Sequence, residues 1–485
     1  NQVIYGRRGT GKTHVLKYLG DNRSSAGDIK IYADLRSVGS NGSIYSDGTR
    51  PLPERATTLL LDVLRYIHDG LLESVIDRQA NLEAVANPER LSALFDQLAE
   101  AVSQVRIVGE RLQSETASAS AQSSSGISAR LQSDTRGVNT SLGVEQTAQQ
   151  SGTVSLTDSA SGVARYYIQF GAIQERLTDI IHELGDRRLW LLIDEWSEVP
   201  RDLQPYLADL LRRTLLPVSQ VTIKIASIEH RSNFAVHREN GEYIGIELGA
   251  EVGADLNLDD FMVFDNDQDR AVDFFKNLIY RHYISTDDAD TSIDSPDTLV
   301  QRAFTQINAF QEFVRAVEGI PRDTLYLAAQ VARNARDGAI SKDHVRAAAR
   351  DWYQQDKAAI LRSRPELNKL LDKIMREVIG HRRARAFLFP TNTRNELLDY
   401  LFDARLLHIL KKNISSRDEP GSRYDVWKLD YGCYVDLIAT SRAPKGLLPQ
   451  EDGSGFVDIP PDDYRSIRRA ILDPETLAKA LPISL

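Results

Sequence analysis

Eight consecutive residues, Gly6-Arg7-Arg8-Gly9-Thr10-Gly11-Lys12-Thr13, carry three glycines, a lysine and two threonines, and fit the spacing G-x-x-x-x-G-K-T. The chemistry this run can do is the handling of phosphate. Its glycines let successive backbone N–H groups curl around phosphate oxygens, and a following helix start adds positive potential. Lys12 is placed to reach the β and γ phosphates of a nucleotide, and the Thr13 hydroxyl to ligate magnesium. The run read as a binding set extends from Gly6 through His14. A glycine-rich turn is the plain alternative, but the context favours phosphate. Val3-Ile4-Tyr5 before the run reads as a short strand, and His14-Val15-Leu16-Lys17-Tyr18-Leu19 after it reads as a helix.

A site that hydrolyses ATP needs a second half, a buried strand that ends in a carboxylate. Leu189-Trp190-Leu191-Leu192-Ile193-Asp194-Glu195 supplies it. Here Asp194 would hold magnesium through water, and Glu195 would orient and polarise the water that attacks the γ-phosphate. Acids capping a helix after a core strand are the structural alternative. Beyond a helix around Asp202 to Thr214, another apolar run, Val221 to Ala226, ends at Ser227. Its hydroxyl suits a hydrogen bond to the attacking water or γ-phosphate, and a strand-terminal serine is also an ordinary turn residue.

Further on, Gly319-Ile320-Pro321-Arg322-Asp323 opens a helix in which proline occupies the start that its fixed φ favours. Ser341 reads as the N-cap of a helix running to Tyr353. The following segment predicts a helix from Glu366 to Ile379, a second from Asn395 to Leu410, and a hairpin of Arg423–Leu429 with Tyr434–Ile438 turning at Asp430-Tyr431-Gly432.

In this order, the motifs resemble those of AAA+ P-loop ATPases, in the branch of bacterial proteins similar to the origin recognition complex (ORC). The resemblance covers nearly all the chain except residues 107–162. It implies an α/β P-loop core, a helical lid and a C-terminal winged-helix-like domain. It casts Ser227 as sensor 1 and Arg322 as sensor 2, beside Lys12 and Glu195 as the catalytic set, with ATP held by Gly6 through His14 and Mg2+ by Thr13 and Asp194. It also implies ATP sites between neighbouring subunits of a homo-oligomeric ring, completed by an arginine finger from the next protomer. Arg213, Arg231 and Arg238 are candidates, each with a plain surface reading beside it. The expected role is an ATP-driven switch or remodeller. A DNA-binding initiator and an ATP-stabilised structural or pore-like assembly are the competing readings.

These residues need several elements to position them. At 485 residues the chain is about three times a common domain length. It divides into a first core part (1–106), an insertion (107–162), a second core part (163–262), the lid (263–362), the winged-helix-like domain (363–440) and a tail (441–485). The composition, 42% hydrophobic and 26% charged, is that of an ordinary folded protein. No apolar run approaches the roughly 20 residues of a membrane-spanning helix. Cys433 is the single cysteine, which excludes an internal disulfide and predicts a reducing, cytoplasmic compartment. The chain opens at Asn1 inside a strand-like run without Met or leader, so further natural N-terminal residues are expected.

A net charge of −10 disfavours indiscriminate binding to nucleic acid. Residues 373–394 nonetheless hold six Lys/Arg, among them Arg382, Arg383 and Arg385, against one acid, Glu377. The next predicted helix carries Glu396, Asp399 and Asp403 beside Arg405, Lys411 and Lys412, poor electrostatics for a DNA groove. Protein contact or a solvated face is therefore favoured over DNA. The insertion contains no lysine, proline, histidine or aromatic residue, yet Arg111-Leu112-Gln113-Ser114-Glu115-Thr116 recurs as Arg130-Leu131-Gln132-Ser133-Asp134-Thr135, with a faint third copy near Gln150. Low complexity favours disorder, and local period-two alternation favours β-hairpins that pair between subunits. Both readings stay open, with helix a third.

Overall fold

The computed structural model describes residues 1–38, 45, 47–76, 85, 87–103, 105–108, 111–116, 142–143, 155–160, 163–166, 168–237, 241–261, 263–265, 267–382, 384–393, 395–415, 421–438 and 470–474. Its central sheet has five strands: β1 (Gln2–Tyr5), β2 (Ile29–Asp34), β3 (Leu189–Asp194), β4 (Val221–Ser227) and β5 (Gly253–Asn257), in the order β5-β1-β4-β3-β2. β2 pairs parallel with β3 from Ile29↔Leu189 to Asp34↔Asp194, and β3 pairs parallel with β4 from Leu189↔Val221 to Ile193↔Ile225. Parallel neighbours require crossover connections, which helices supply here. This mixed α/β architecture with a parallel sheet is consistent with a P-loop core.

Two compact units divide the chain. The first comprises Asn1–Gln2, Leu16–Ile225 and Ser232–Gly253; the second comprises Val3–Val15, Ala226–Arg231 and Ala254–Leu485. In the first unit, β3 buries Leu189, Leu191, Leu192 and Ile193, the near-continuous apolar run of a strand covered on both faces. Helix Leu52–Ile76 buries Leu60, Leu64, Ile67 and Leu71, a stripe at helical period. Gly70 lets that helix approach β2, since a Cβ there would stand 3.1 Å from Ile31 Cγ2.

The insertion also belongs to this unit. Val105–Val108 pairs antiparallel with Val163–Tyr166, and Arg111–Thr116 pairs antiparallel with Ser155–Ala160, which Leu142–Gly143 joins on its other edge. The first copy of the repeat is thus a strand. The later copies at 130–135 and near Gln150 lie outside the described residues.

Over the stretch read as a lid, the second unit carries helices Gln268–Ile284, Pro296–Ala303, Ile307–Ala316, Pro321–Ala335 and Lys342–Trp352. Ser341 caps the last of these, in a capping box with His344. Phe275, Phe310, Phe313, Leu327, Val331 and Val345 form their core.

The C-terminal elements differ from the sequence reading in three places. The first helix, Pro365–Ile374, continues as a wider π-helical turn through His381. The helix expected from Asn395 to Leu410 ends at Asp403, because the chain turns left-handed at Arg405 (φ 62°). Beyond that turn the chain runs on as a strand. β6 (Ala386–Pro390), β7 (Leu407–Ser415) and β8 (Arg423–Leu429) form an antiparallel sheet in the order β6-β8-β7. The hairpin is therefore β7 with β8, and Tyr431–Ile438 is a helix. Asp430 makes it so: its Oδ2 accepts from the N–H groups of Gly432 at 2.9 Å and Cys433 at 3.4 Å, an N-cap that outweighs the strand-like look of Tyr434-Val435-Asp436-Leu437-Ile438. Cys433 is buried with its Sγ 3.6 Å from Met375 Sδ, and burial pushes its thiol up to about 12.

Candidate functional site

β1 buries Val3, Ile4 and Tyr5 and delivers the chain to Gly6. Gly9 and Gly11 take φ of 90° and 93°, the left-handed region that glycine enters without steric cost. Close approaches add to that requirement. A Cβ at Gly6 would stand 2.5 Å from Thr10 Oγ1, and one at Gly9 3.0 Å from both Arg322 Nε and Ile320 Cγ2. Helix α1 (Lys12–Ser25) follows immediately, with Lys12, Thr13 and His14 in the first turn, where helix N–H groups face outward. Lys12 Nζ donates to the carbonyls of Gly6 at 2.8 Å and Arg7 at 3.0 Å, so its side chain lies back over the loop. Thr10 Oγ1 also donates to the Arg7 carbonyl, at 2.9 Å. Arg8 and His14 are exposed.

Arg7 goes elsewhere. Its residue is only 3% exposed, and its backbone N–H and Nε donate to the two oxygens of Asp259, each at 2.9 Å. Nη2 donates to the Glu318 carbonyl at 3.1 Å, Nη1 meets His408 Nδ1, and the guanidinium lies 5.5 Å from the Phe402 ring centroid. The Arg7 side chain therefore anchors the loop to the protein. The sequence reading placed Arg7 among the nucleotide-binding residues and missed this anchoring.

In the first unit, β3 ends in Asp194, which is fully buried. Asp194 Oδ2 accepts from the Tyr32 hydroxyl at 2.7 Å and Oδ1 from the Glu195 N–H at 2.8 Å. Burial, then the bond to Asp194, raises the Tyr32 phenol above its ordinary range. Glu195 stands at φ 56° before the short turn Trp196–Glu198 and makes no side-chain capping bond there. The capping alternative for Glu195 thus finds no support. Its Oε1 is 3.6 Å from Arg36 Nη1, while Arg36 Nε and Nη2 grip Asp34 at 3.0 and 2.6 Å. Tyr32 and Arg36 both escaped sequence reasoning. Their only signal was their place in and just after a strand that proved to be the neighbour of β3.

Ser227 is buried at the end of β4. In the second unit, the Arg322 N–H donates to the Gly9 carbonyl at 3.2 Å, so the start of helix Pro321–Ala335 meets the Gly6–Thr13 loop, with the Arg322 side chain 58% exposed. Both described finger candidates have partners in their own chain. Arg213 Nε donates to Asp209 at 2.6 Å, and Arg231 Nε to Asp403 at 2.8 Å, where His230 also bonds at 3.0 Å. Arg238 lies outside the described residues, as does Arg383 of the basic stretch. Charges expected on a groove-facing helix are engaged too. Arg405 pairs with Asp323 and Asp356, each at 2.8 Å, and Lys412 pairs with Glu229.

No protein-family model matches this sequence, and no curated protein does. Among solved structures, two variants of RuvB from Thermotoga maritima align over 55% of this chain and 83% of theirs, at 14% and 15% identity and a TM-score of 0.25. A likeness that weak leaves the fold reading to rest on the sheet order and the loop geometry. Among the described residues, no helix is long and apolar enough to cross a membrane.

Proposed function

We propose that this chain is an AAA+ ATPase of the ORC-like type, which binds and hydrolyses ATP at the subunit interfaces of a homo-oligomeric ring and acts as a nucleotide-dependent switch or remodeller. The carrying observation is the strand–loop–helix at Gly6–Thr13, with its two left-handed glycines, Lys12 laid over the loop carbonyls and the Arg322 segment bonded to Gly9. In this reading the loop N–H groups and Lys12 hold the β and γ phosphates, and Arg322 adds positive charge near them. Glu195 orients the attacking water, and Ser227 donates a hydrogen bond to it or to the γ-phosphate.

A hydroxyl and a buried carboxylate are hard oxygen donors of the kind magnesium takes, so Thr13 directly and Asp194 through water fit that ion. When bound, it would neutralise phosphate charge. Engagement of Asp403, Arg405 and Lys412 inside the chain leaves the DNA-binding alternative less well supported than the ATPase reading.

Titration calorimetry with ATP and magnesium tests the proposal. The native chain is expected to bind, and Lys12→Ala to lose tight binding, because it removes the charge facing the β and γ phosphates. Equal affinity in the two proteins would overturn the phosphate-binding assignment.

A further inference from the structure

Glu318, His408 and Asp430, all buried, bring potential ligand atoms within 4.8 Å of one another, the residue types of a cation site. Their neighbours argue for something else. His408 has both ring nitrogens engaged, Nδ1 with Arg7 Nη1 and Nε2 with Asp430 Oδ1 at 3.2 Å. Asp430 is paired with Lys357, and Glu318 Oε2 accepts from Lys428 Nζ at 3.0 Å. Arg7, Lys357 and Lys428 therefore already occupy ligand atoms of all three residues. Its contacts instead form a chain from β7 to the phosphate-binding loop.

We propose that His408 and Asp430 are positioning residues for the nucleotide site, acting through Arg7 to hold the backbone on which Lys12 is seated. This deepens the ATP-binding reading above and rests on it. Arg7 joins the two ends of the relay in one residue. Its guanidinium is fixed by His408, Asp259 and the Glu318 carbonyl, while its own carbonyl accepts from Lys12 Nζ and Thr10 Oγ1.

The direction of each hydrogen bond is set by charge. An arginine can only donate, so His408 Nδ1 must accept and Nε2–H must donate to Asp430. Burial pushes the His408 imidazole down to about 3, with Asp430 opposing, which keeps the ring neutral and Nδ1 free to accept. Asp430 is fixed in turn. One oxygen caps helix Tyr431–Ile438, and the other takes the His408 ring and Lys357. Burial raises the Asp430 carboxyl, but Lys357 and then His408 outweigh it and hold the group below the usual carboxylate range. A ring oriented by a carboxylate, and in turn orienting a guanidinium, is a rigid support for a binding loop.

The test compares His408→Leu, His408→Asn, Arg7→Lys and Lys12→Ala by ATP titration and steady-state hydrolysis, at a temperature where circular dichroism shows each folded. Leucine removes the acceptor, so ATP affinity is expected to fall about tenfold or more, with KM raised and kcat at saturating ATP changed less. Asparagine returns an acceptor oxygen near the Nδ1 position and is expected to restore most of the affinity. Lysine at position 7 cannot span His408, Asp259 and the Glu318 carbonyl together, so it is expected to weaken binding as leucine does at 408.

Native affinity in folded His408→Leu overturns the positioning role, as does an asparagine variant no better than leucine. If His408→Leu does not fold, Arg7→Lys decides, and native affinity there overturns it equally. Tight ATP binding by Lys12→Ala instead sinks the underlying nucleotide reading, so the two failures are distinguishable.

Discussion

Glu195 holds a left-handed backbone, which costs a non-glycine residue about 1 to 2 kcal/mol, while its carboxylate makes no helix cap. That strain, beside the buried Asp194, motivates the role proposed above for Glu195 in orienting water. Glu195→Gln should therefore keep ATP binding yet slow phosphate release by about 10² or more, read in a steady-state phosphate assay. Turnover at the native rate would show that the side chain does not act on the attacking water. Lys12, Thr13, Asp194 and Glu195 could be singled out as candidates from the sequence because each lies in a contiguous motif. Arg7 shows the limit of that legibility. Its partners Asp259, Glu318 and His408 are 252, 311 and 401 positions away, so no local pattern could distinguish an anchor from a phosphate ligand.

The helices and strands were readable where their ends carry a local chemical signal. Ser341 is the clearest case, its hydroxyl accepting from the His344 N–H at 3.3 Å while the His344 ring accepts from the Ser341 N–H. Ser341→Ala should remove about 1 kcal/mol of stability, seen as a lower denaturant midpoint with an unchanged slope. An unchanged midpoint would mean that helix Lys342–Trp352 is held by packing alone. Boundaries failed where the deciding group was a single side chain inside an apolar run. The chain from Asn395 to Leu410 is apolar enough for one helix, but Leu407–Ser415 gains a ladder with β8, and tertiary pairing overrides local propensity there. The helix at Tyr431–Ile438 was hidden for a related reason, since Asp430 was read as a turn residue rather than as a cap.

At the scale of the whole chain, the insertion is the element with most to test. Val108 pairs with Val163, so the strands that flank the segment stand side by side. Deleting Glu110 to Ser161 with a short flexible linker should leave the proposed ATP binding intact, because the segment contains none of the residues proposed to hold the nucleotide. It should lower the oligomer order or loosen the assembly, as read by light scattering and electron microscopy, if the hairpins pair between subunits. Identical assembly would reject that role. Cys433 brings a different kind of opportunity. Being the sole cysteine, buried, with its thiol raised to about 12, it should stay dark to maleimides while the protein is folded. The chain is thus a ready background for fluorophores. A cysteine at a surface position such as Tyr18, 65% exposed on α1, would carry the only dye and report motion on the helix that follows the Gly6–Thr13 loop, without a prior cysteine knockout.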